Sequence, residues 1–325
     1  MTDASAAPLR IGTRKSALAM RQSEIVRDAL LALGVPSVFV TFDTVGDLRL
    51  DRALSALGEK GLFTAELEAA LRAGEVDLCV HSLKDLPTVL PDDIAALATL
   101  RREDPRDVLV VRDGIEASTL AHLPYGARVG TCSLRRRAQL GAARPDLRVL
   151  DLRGNVQTRL RKLDAGEFDA ILLAAAGLRR LGLAARITSA LDAPEWLPAP
   201  GQGAIAVQAR AGDATGALLD ALHHRETADA VTAERALLNA LEGGCQVPIG
   251  ALVTGAGESR TLHGLVASLD GGRVMRDAVP LDARDPGASG RTLAASLRLR
   301  GADAILDEVR AGRGVVAPDT VPVAS

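Results

Sequence analysis

At 325 residues, with 47% hydrophobic and 25% charged residues, the chain has the composition of a globular protein and the length of two or three domains. A formal net charge of −2 gives no global pull toward nucleic acid or an anionic membrane, so any basic site has to be local. Three cysteines, an odd number, argue for a reducing compartment and against a disulfide framework.

The start Met1–Ser5 lacks the basic and apolar regions of a signal peptide. Apolar runs such as Ala170 to Leu178 are too short to span a bilayer, so a cytoplasmic protein is expected. Along the chain, Arg10-Ile11-Gly12-Thr13 leads into a helical pattern carrying Leu18, Ile25 and Val26. Strand-like Val38 to Thr41 then runs into Asp43-Thr44-Val45-Gly46-Asp47. Ala73-Gly74-Glu75-Val76-Asp77 ends a helix at a glycine and begins an apolar strand through Val76, Leu78 and Val80.

The same three signals recur in the same order. Arg128-Val129-Gly130-Thr131 leads into Leu134 and Leu140, Leu147 to Leu150 precedes Asp151-Leu152-Arg153-Gly154-Asn155, and Ala165-Gly166-Glu167-Phe168-Asp169 opens another apolar strand. Gly12 and Gly130 are 118 positions apart, Asp43 and Asp151 are 108 apart, and Ala73 and Ala165 are 92 apart. The pattern predicts two lobes of similar α/β topology, each a mostly parallel sheet with helices on its faces. Ligands of such sheets sit beyond the carboxyl ends of the strands. There the first copy has Ser82-Leu83-Lys84-Asp85, and the second has Ala174-Ala175-Ala176-Gly177. A scaffold alone does not need charges at one strand end and none at the other, which favours a functional Asp85 over a plain surface ion pair with Lys84.

Arginines mark the same rim. Gly130-Thr131-Cys132-Ser133 opens a helix with Arg135, Arg136 and Arg137 in or near its first turns, where cations are unfavourable unless an anion compensates. Arg14, Arg153 and Arg159 follow the other strand–turn junctions, and guanidinium groups clamp carboxylates or phosphates with paired hydrogen bonds. Arg137, Arg161 and Arg179 suit a solvated helix face equally well. The expected ligand is polyanionic, and aromatic residues at 2% leave little for stacking on single-stranded nucleic acid.

Cys132, at a helix start, is a rival nucleophile, whereas Cys79 lies inside an apolar strand and reads as packing. His223-His224-Arg225-Glu226 lacks the spacing that puts two imidazoles on one helical face, so no metal is expected. No phosphate loop or dinucleotide fingerprint is present, so no nucleotide cofactor is expected either. Near the end, Leu241-Glu242-Gly243-Gly244-Cys245-Gln246-Val247-Pro248 presents a thiol between two glycines and a proline. Such a cysteine is accessible and suited to carrying something covalently.

Taken together, these stretches resemble the porphobilinogen deaminase (hydroxymethylbilane synthase) family. The matching motifs are Arg10-Ile-Gly-Thr-Arg-Lys-Ser16, Gly58-Glu-Lys-Gly-Leu-Phe63, Val80-His-Ser-Leu-Lys-Asp-Leu-Pro87 and Arg102-Glu-Asp-Pro-Arg-Asp107. They continue with Gly130-Thr-Cys-Ser-Leu-Arg-Arg136, Leu152-Arg-Gly-Asn-Val156, Pro200-Gly-Gln-Gly203 and Leu241 through Gly250, so the likeness runs from about residue 9 to residue 310. It implies an α/β fold of two periplasmic-binding-protein-like lobes with mostly parallel sheets plus a smaller C-terminal α/β domain. Lobe 1 would comprise residues 1–103 and 201–220, lobe 2 residues 104–200, and the third domain residues 221–325. The crossings would lie near Arg102 to Asp107 and near Leu197 to Gly203, and Pro105, Pro198 and Pro200 suit linkers there on composition alone.

The resemblance also implies a transferase of tetrapyrrole (porphyrin and haem) biosynthesis. Such enzymes deaminate and join four porphobilinogen molecules into linear hydroxymethylbilane on a dipyrromethane cofactor, held by a thioether to the cysteine matching Cys245. Asp85 matches the family's catalytic carboxylate. Lys84, Ser82, Thr131, Ser133, Arg135, Arg136 and Arg153 match cofactor-binding positions. Arg14, Ser16, Arg159, Phe63, Lys60 and Gln202 match substrate-binding positions, with Phe63 and Lys60 on or beside a lid over residues 46 to 61. A cytoplasmic monomer working on porphobilinogen and the growing polypyrrole chain is implied, with no nucleic acid or membrane partner. Two departures stand out: Cys132 where serine is frequent, and Val45 where some members carry a basic residue. The competing reading is a cytosolic two-lobed polyanion-binding or effector-sensing module, which would not need the Gly-Gly-Cys loop.

Overall fold

The computed structural model describes residues 7–44, 64–94, 96–213, 215–241 and 247–312. Lobe 1 begins with β1 (Leu9–Arg14), α1 (Ala17–Ala32), β2 (Ser37–Phe42), α2 (Ala65–Arg72), β3 (Leu78–Ser82) and β4 (Ala96–Thr99). The chain then crosses to β5 (Asp107–Val111), β6 (Arg128–Gly130), α3 (Leu134–Ala143), β7 (Arg148–Leu150), α4 (Val156–Asp164), β8 (Ala170–Ala174), α5 (Ala175–Arg180) and β9 (Ser189–Leu191). It returns as β10 (Ile205–Ala209) and α6 (Gly216–Leu222). It ends with α7 (Arg225–Ala240), β11 (Ile249–Thr254), β12 (Thr261–Ala267), β13 (Val274–Pro280), α8 (Pro286–Leu299) and α9 (Ala302–Arg310).

The two five-stranded sheets have one topology, with orders β2-β1-β3-β10-β4 and β7-β6-β8-β5-β9. In each, four strands run one way and the strand entering from the other lobe, β10 or β5, runs antiparallel between its two neighbours. Both faces of each sheet are buried, which is why β3 and β8 are unbroken apolar runs before their ends.

The sequence repeat is present residue for residue. Ile11 pairs with Leu78 as Val129 pairs with Ala170, so the offsets of 118 and 92 meet in one register. In lobe 1 the Arg10 backbone N–H and guanidinium both donate to Asp77, at 2.8 and 2.7 Å; in lobe 2 Arg128 does the same to Asp169, at 2.8 and 2.9 Å. Gly74 and Gly166, at φ 71° and 80°, close α2 and α4 with the same backbone bonds. Each motif thus ties the start of a lobe's first strand to the start of its third.

The third unit is the antiparallel sheet β11-β12-β13 packed on α7, α8 and α9 around Leu237, Leu262, Leu293 and Ile305. It meets lobe 2 through Ala138, Leu197, Leu252, Leu265 and Ala267. Two buried carboxylates pin the crossings. Glu234 of α7 accepts from Arg102 at 2.6 and 2.9 Å, from Gly201 N at 2.8 Å and from Val253 N at 3.0 Å. Asp107, the first residue of β5, is the second such hub. Gly203, at φ 88°, lets the crossings approach closely: a Cβ there would lie 2.4 Å from the Glu103 carbonyl oxygen.

Candidate active site

Residues that follow the carboxyl ends of β3, β6 and β7 lie close enough to act on one another across the cleft between the lobes. From lobe 1 come Arg14, the last residue of β1, and Ser16, whose hydroxyl caps α1 by accepting from Ala19 N. Ser82 ends β3 and is bonded to Gln22 of α1 at 2.8 Å. Lys84 and Asp85 follow on the 3₁₀ turn Leu83–Asp85. Leu83 and Leu86 anchor that turn in the core while both charged side chains stay half-buried.

Two elements distant in sequence hold the turn. Leu83 N donates to Ala204 O at 3.0 Å, and Gly201, at φ 74°, leaves room for the Leu83 side chain 3.2 Å from where a Cβ would sit. From α7, the Arg235 guanidinium donates to the carbonyls of Leu83, Leu86, Pro87 and Thr88. Neither Arg235 nor Gln22 stood out in the sequence, because an arginine or glutamine on an amphipathic helix carries no signal of which loop it will cap.

From lobe 2, Thr131 is buried and its hydroxyl accepts from Ser133 N, while Ser133 caps α3 by accepting from Arg136 N. Asn155 caps α4, and Arg159 Nε donates to Gly154 O at 2.7 Å. The anion that compensates Arg135 and Arg136 at the start of α3 is internal. Asp107, fully buried, accepts from Arg135 Nη1 at 2.5 Å, Arg136 Nη2 at 2.7 Å, Trp196 Nε1 at 2.8 Å and Gln202 Nε2 at 2.9 Å. Burial alone would raise the Asp107 pKa, but the two guanidiniums outweigh it and hold the carboxyl far below the usual range. Asp107 was missed in the sequence, although a charge opening the apolar run Val108–Val111 was the available signal.

The electrostatics join the lobes. Desolvation lowers the Lys84 pKa to about 8, with Asp85 opposing and Arg136 of lobe 2 assisting. Arg159 is likewise lowered, by burial first, with Cys132 and Asp85 raising it and Arg136 and Arg153 lowering it. Arg159 therefore shares one field with Asp85 across the cleft. Among the described residues, the Asp85 carboxylate has no hydrogen bond or ion pair.

Gln202 is 1% exposed, with both ends of its amide engaged inside the protein. Cys79 is fully buried, and desolvation pushes its pKa up to about 12. Cys132 is a half-buried free thiol. Arg137 pairs with Asp151 and Arg179 with Asp104. His224 caps α7 through Nδ1, which accepts from Thr227 N at 3.2 Å, and His223 Nδ1 accepts from Thr99 N at 3.4 Å. Cys245, Lys60, Phe63 and the lid lie outside the described residues.

The family described as "Porphobilinogen deaminase, dipyromethane cofactor binding domain" matches residues 9–217, and "Porphobilinogen deaminase, C-terminal domain" matches residues 228–298. The chain belongs to the porphobilinogen deaminase family. It is 51% identical over 312 residues to the porphobilinogen deaminase of Synechococcus elongatus, covering 95% of this chain and 98% of that one. To the porphobilinogen deaminase of Moorella thermoacetica it is 52% identical over 309 residues, covering 94% and 98%. Among solved structures it is similar to the periplasmic aliphatic sulphonate binding protein SsuA from Escherichia coli, at 16% identity and a TM-score of 0.39 over 73% of this chain and 76% of that one.

The family's cofactor suits the donor set. Among the described residues, Lys84, Arg135, Arg136 and Arg159 act on one another with the carboxylates Asp85 and Asp107 beside them, so cations outnumber carboxylates in this group. A dipyrrole bearing acetate and propionate groups matches that excess. Among the described residues no cluster of three metal-ligating side chains occurs, and no helix is long and apolar enough to cross a membrane.

Proposed function

We infer that this chain is a hydroxymethylbilane synthase: a transferase that deaminates four porphobilinogen molecules and joins them head-to-tail into linear hydroxymethylbilane, in tetrapyrrole biosynthesis. The observation that carries this reading is the Asp85 carboxylate, left without a hydrogen-bond partner among the described residues in a cleft of arginines from the opposite lobe. Family membership favours this over the polyanion-sensing module, which has no use for an unpaired carboxylate there.

Bound dipyrromethane supplies the pyrrole terminus to which the first porphobilinogen joins. Arg14, Arg153, Arg159 and Lys84 hold acetate and propionate groups, and Arg135 and Arg136, buried on Asp107, are assigned to the same set for the charge they bring to the site. Ser16 and Ser133 use an oxygen lone pair for their caps, so each O–H remains able to donate to a carboxylate; Ser82 and Thr131 are assigned to the same set. Loss of ammonia leaves positive charge on the incoming pyrrole. Asp85 offsets that charge and takes the proton released when the new carbon–carbon bond forms.

Cys245 is the proposed attachment point, through a thioether. In support, Thr88 Oγ1 donates to Asn239 Oδ1 at 3.2 Å, so the end of α7 lies against the loop that follows Asp85. The chain then enters the cysteine segment from buried Leu241 and leaves it at buried Val247. Lys60 and Phe63 are proposed for the lid over the incoming substrate. The division into lobe 1 (1–103 and 201–220), lobe 2 (104–200) and a third domain (221–325) is proposed as the functional one, because each crossing is pinned by Asp107 or Glu234. A cytoplasmic monomer without nucleic acid or membrane partners is proposed with it; a net charge of −2 supports only the second half, since it gives no global attraction to polyanions.

Incubation with porphobilinogen tests the reading. Four ammonia molecules should appear for each linear tetrapyrrole, whereas a binding module would take up ligand and release none.

A further inference from the structure

Gln202 stands where both crossings meet, and its side chain touches both lobes. Oε1 accepts from Lys84 Nζ at 3.3 Å, while Nε2 donates to Asp107 Oδ1 at 2.9 Å and to Pro105 O at 2.8 Å. Its backbone carbonyl accepts from Arg102 Nε at 2.8 Å. These neighbours select an amide. One end must accept from an ammonium and the other must donate to a carboxylate, which neither an acid nor a base can do at once.

Lys84 needs such a partner. An ammonium on a four-carbon stem is a mobile point charge, unlike the planar fork of an arginine. It is faced by Asp85 on its own turn, by Asp107 on β5, and by Arg135 and Arg136 on α3. Left to these alone, the ammonium would be drawn toward two carboxylates on different lobes and repelled by two guanidiniums, with nothing to fix its place among them.

We propose that Gln202 is a positioning residue: its amide ties Lys84 of lobe 1 to the Asp107–Arg135–Arg136 cluster of lobe 2 and so fixes the ammonium beside Asp85 in the cleft. This rests on the cleft being the pyrrole-joining site. It assigns Gln202 a role through Lys84 in place of the direct substrate contact implied by the family motif. The relay also makes the Lys84 position depend on how the lobes sit against each other.

The chain has four lysines, Lys15, Lys60, Lys84 and Lys162, so NMR titration of ¹³C-lysine-labelled holoprotein can follow each ammonium, with Lys84→Arg identifying the Lys84 signal. The Lys84 midpoint of the unaltered holoprotein is the reference: burial lowers it, and Asp85, Asp107 and any bound carboxylate raise it. Gln202→Met removes the acceptor without adding charge and should lower that midpoint by roughly half a unit or more, whereas Gln202→Glu should raise it by about one unit. Both variants should lose about tenfold in kcat with KM for porphobilinogen within roughly twofold, the split expected when no substrate contact is lost.

A Lys84 midpoint unmoved in both variants would overturn the proposal, as would a raised KM with unchanged kcat. Should the Met variant not fold, the Glu variant decides alone. The titration does not depend on turnover, so it still decides the role of Gln202 if the chain proves to make no tetrapyrrole.

Discussion

Three residues beyond the end of β3 stands Asp85, and three beyond the end of β8 stands Gly177, in two copies of one fold. Lobe 2 shows that the scaffold closes this turn without a carboxylate, and in lobe 1 the carboxylate has no partner among the described residues. Asp85→Asn keeps the shape and removes the charge. Folding, thermal melting and porphobilinogen binding should stay near normal, while turnover falls at least about a hundredfold, the scale for deleting one preorganised electrostatic partner. A variant that unfolds, or that turns over within a few-fold of the parent, would make Asp85 a structural residue.

Asp85 was legible in the sequence because the repeat supplies its own control. Ser16 and Ser133 were legible as hydroxyls at helix starts, a local pattern. Asp107, Glu234, Arg235 and the two-sided amide of Gln202 were not. Their partners lie dozens to more than a hundred positions away, and no periodicity tells which polar side chain will be buried against which.

At the scale of elements, the repeat carries the fold and the crossings carry the site. The Arg10–Asp77 and Arg128–Asp169 pairs follow from short motifs whose spacing the sequence displays openly. By contrast, β10 and β5 each enter the opposite sheet antiparallel, an exchange that composition hinted at only through prolines at the crossings. Asp107 gathers four donor side chains at the start of β5. Its contribution is present above the unfolded carboxylate pKa of about 3.9. It is lost only as pH falls through the much lower folded value, so it holds across the working range. Asp107→Ala would strand two buried guanidiniums and should cost about 3–5 kcal/mol in urea unfolding at neutral pH. A loss below about 1 kcal/mol, no more than an exposed ion pair is worth, would mean that Arg135 and Arg136 find other partners.

For the molecule as a whole, the arrangement sets Asp85, without a hydrogen-bond partner among the described residues, opposite the arginines of lobe 2, and adds a third unit whose helix α7 holds the Asp85 loop and precedes Cys245 in the chain. Each part has an ordinary structural reading alone; the proposed covalent dipyrrole would require all three together. Intact mass spectrometry of the purified chain tests this most directly. The account expects a mass above the 33.8 kDa of the sequence by one dipyrrole. That increment should be lost in Cys245→Ser and retained in Cys132→Ser, and brief exposure to porphobilinogen should add further single-pyrrole steps. A bare sequence mass that porphobilinogen leaves unchanged, or a dipyrrole mapped to Cys132, would contradict it.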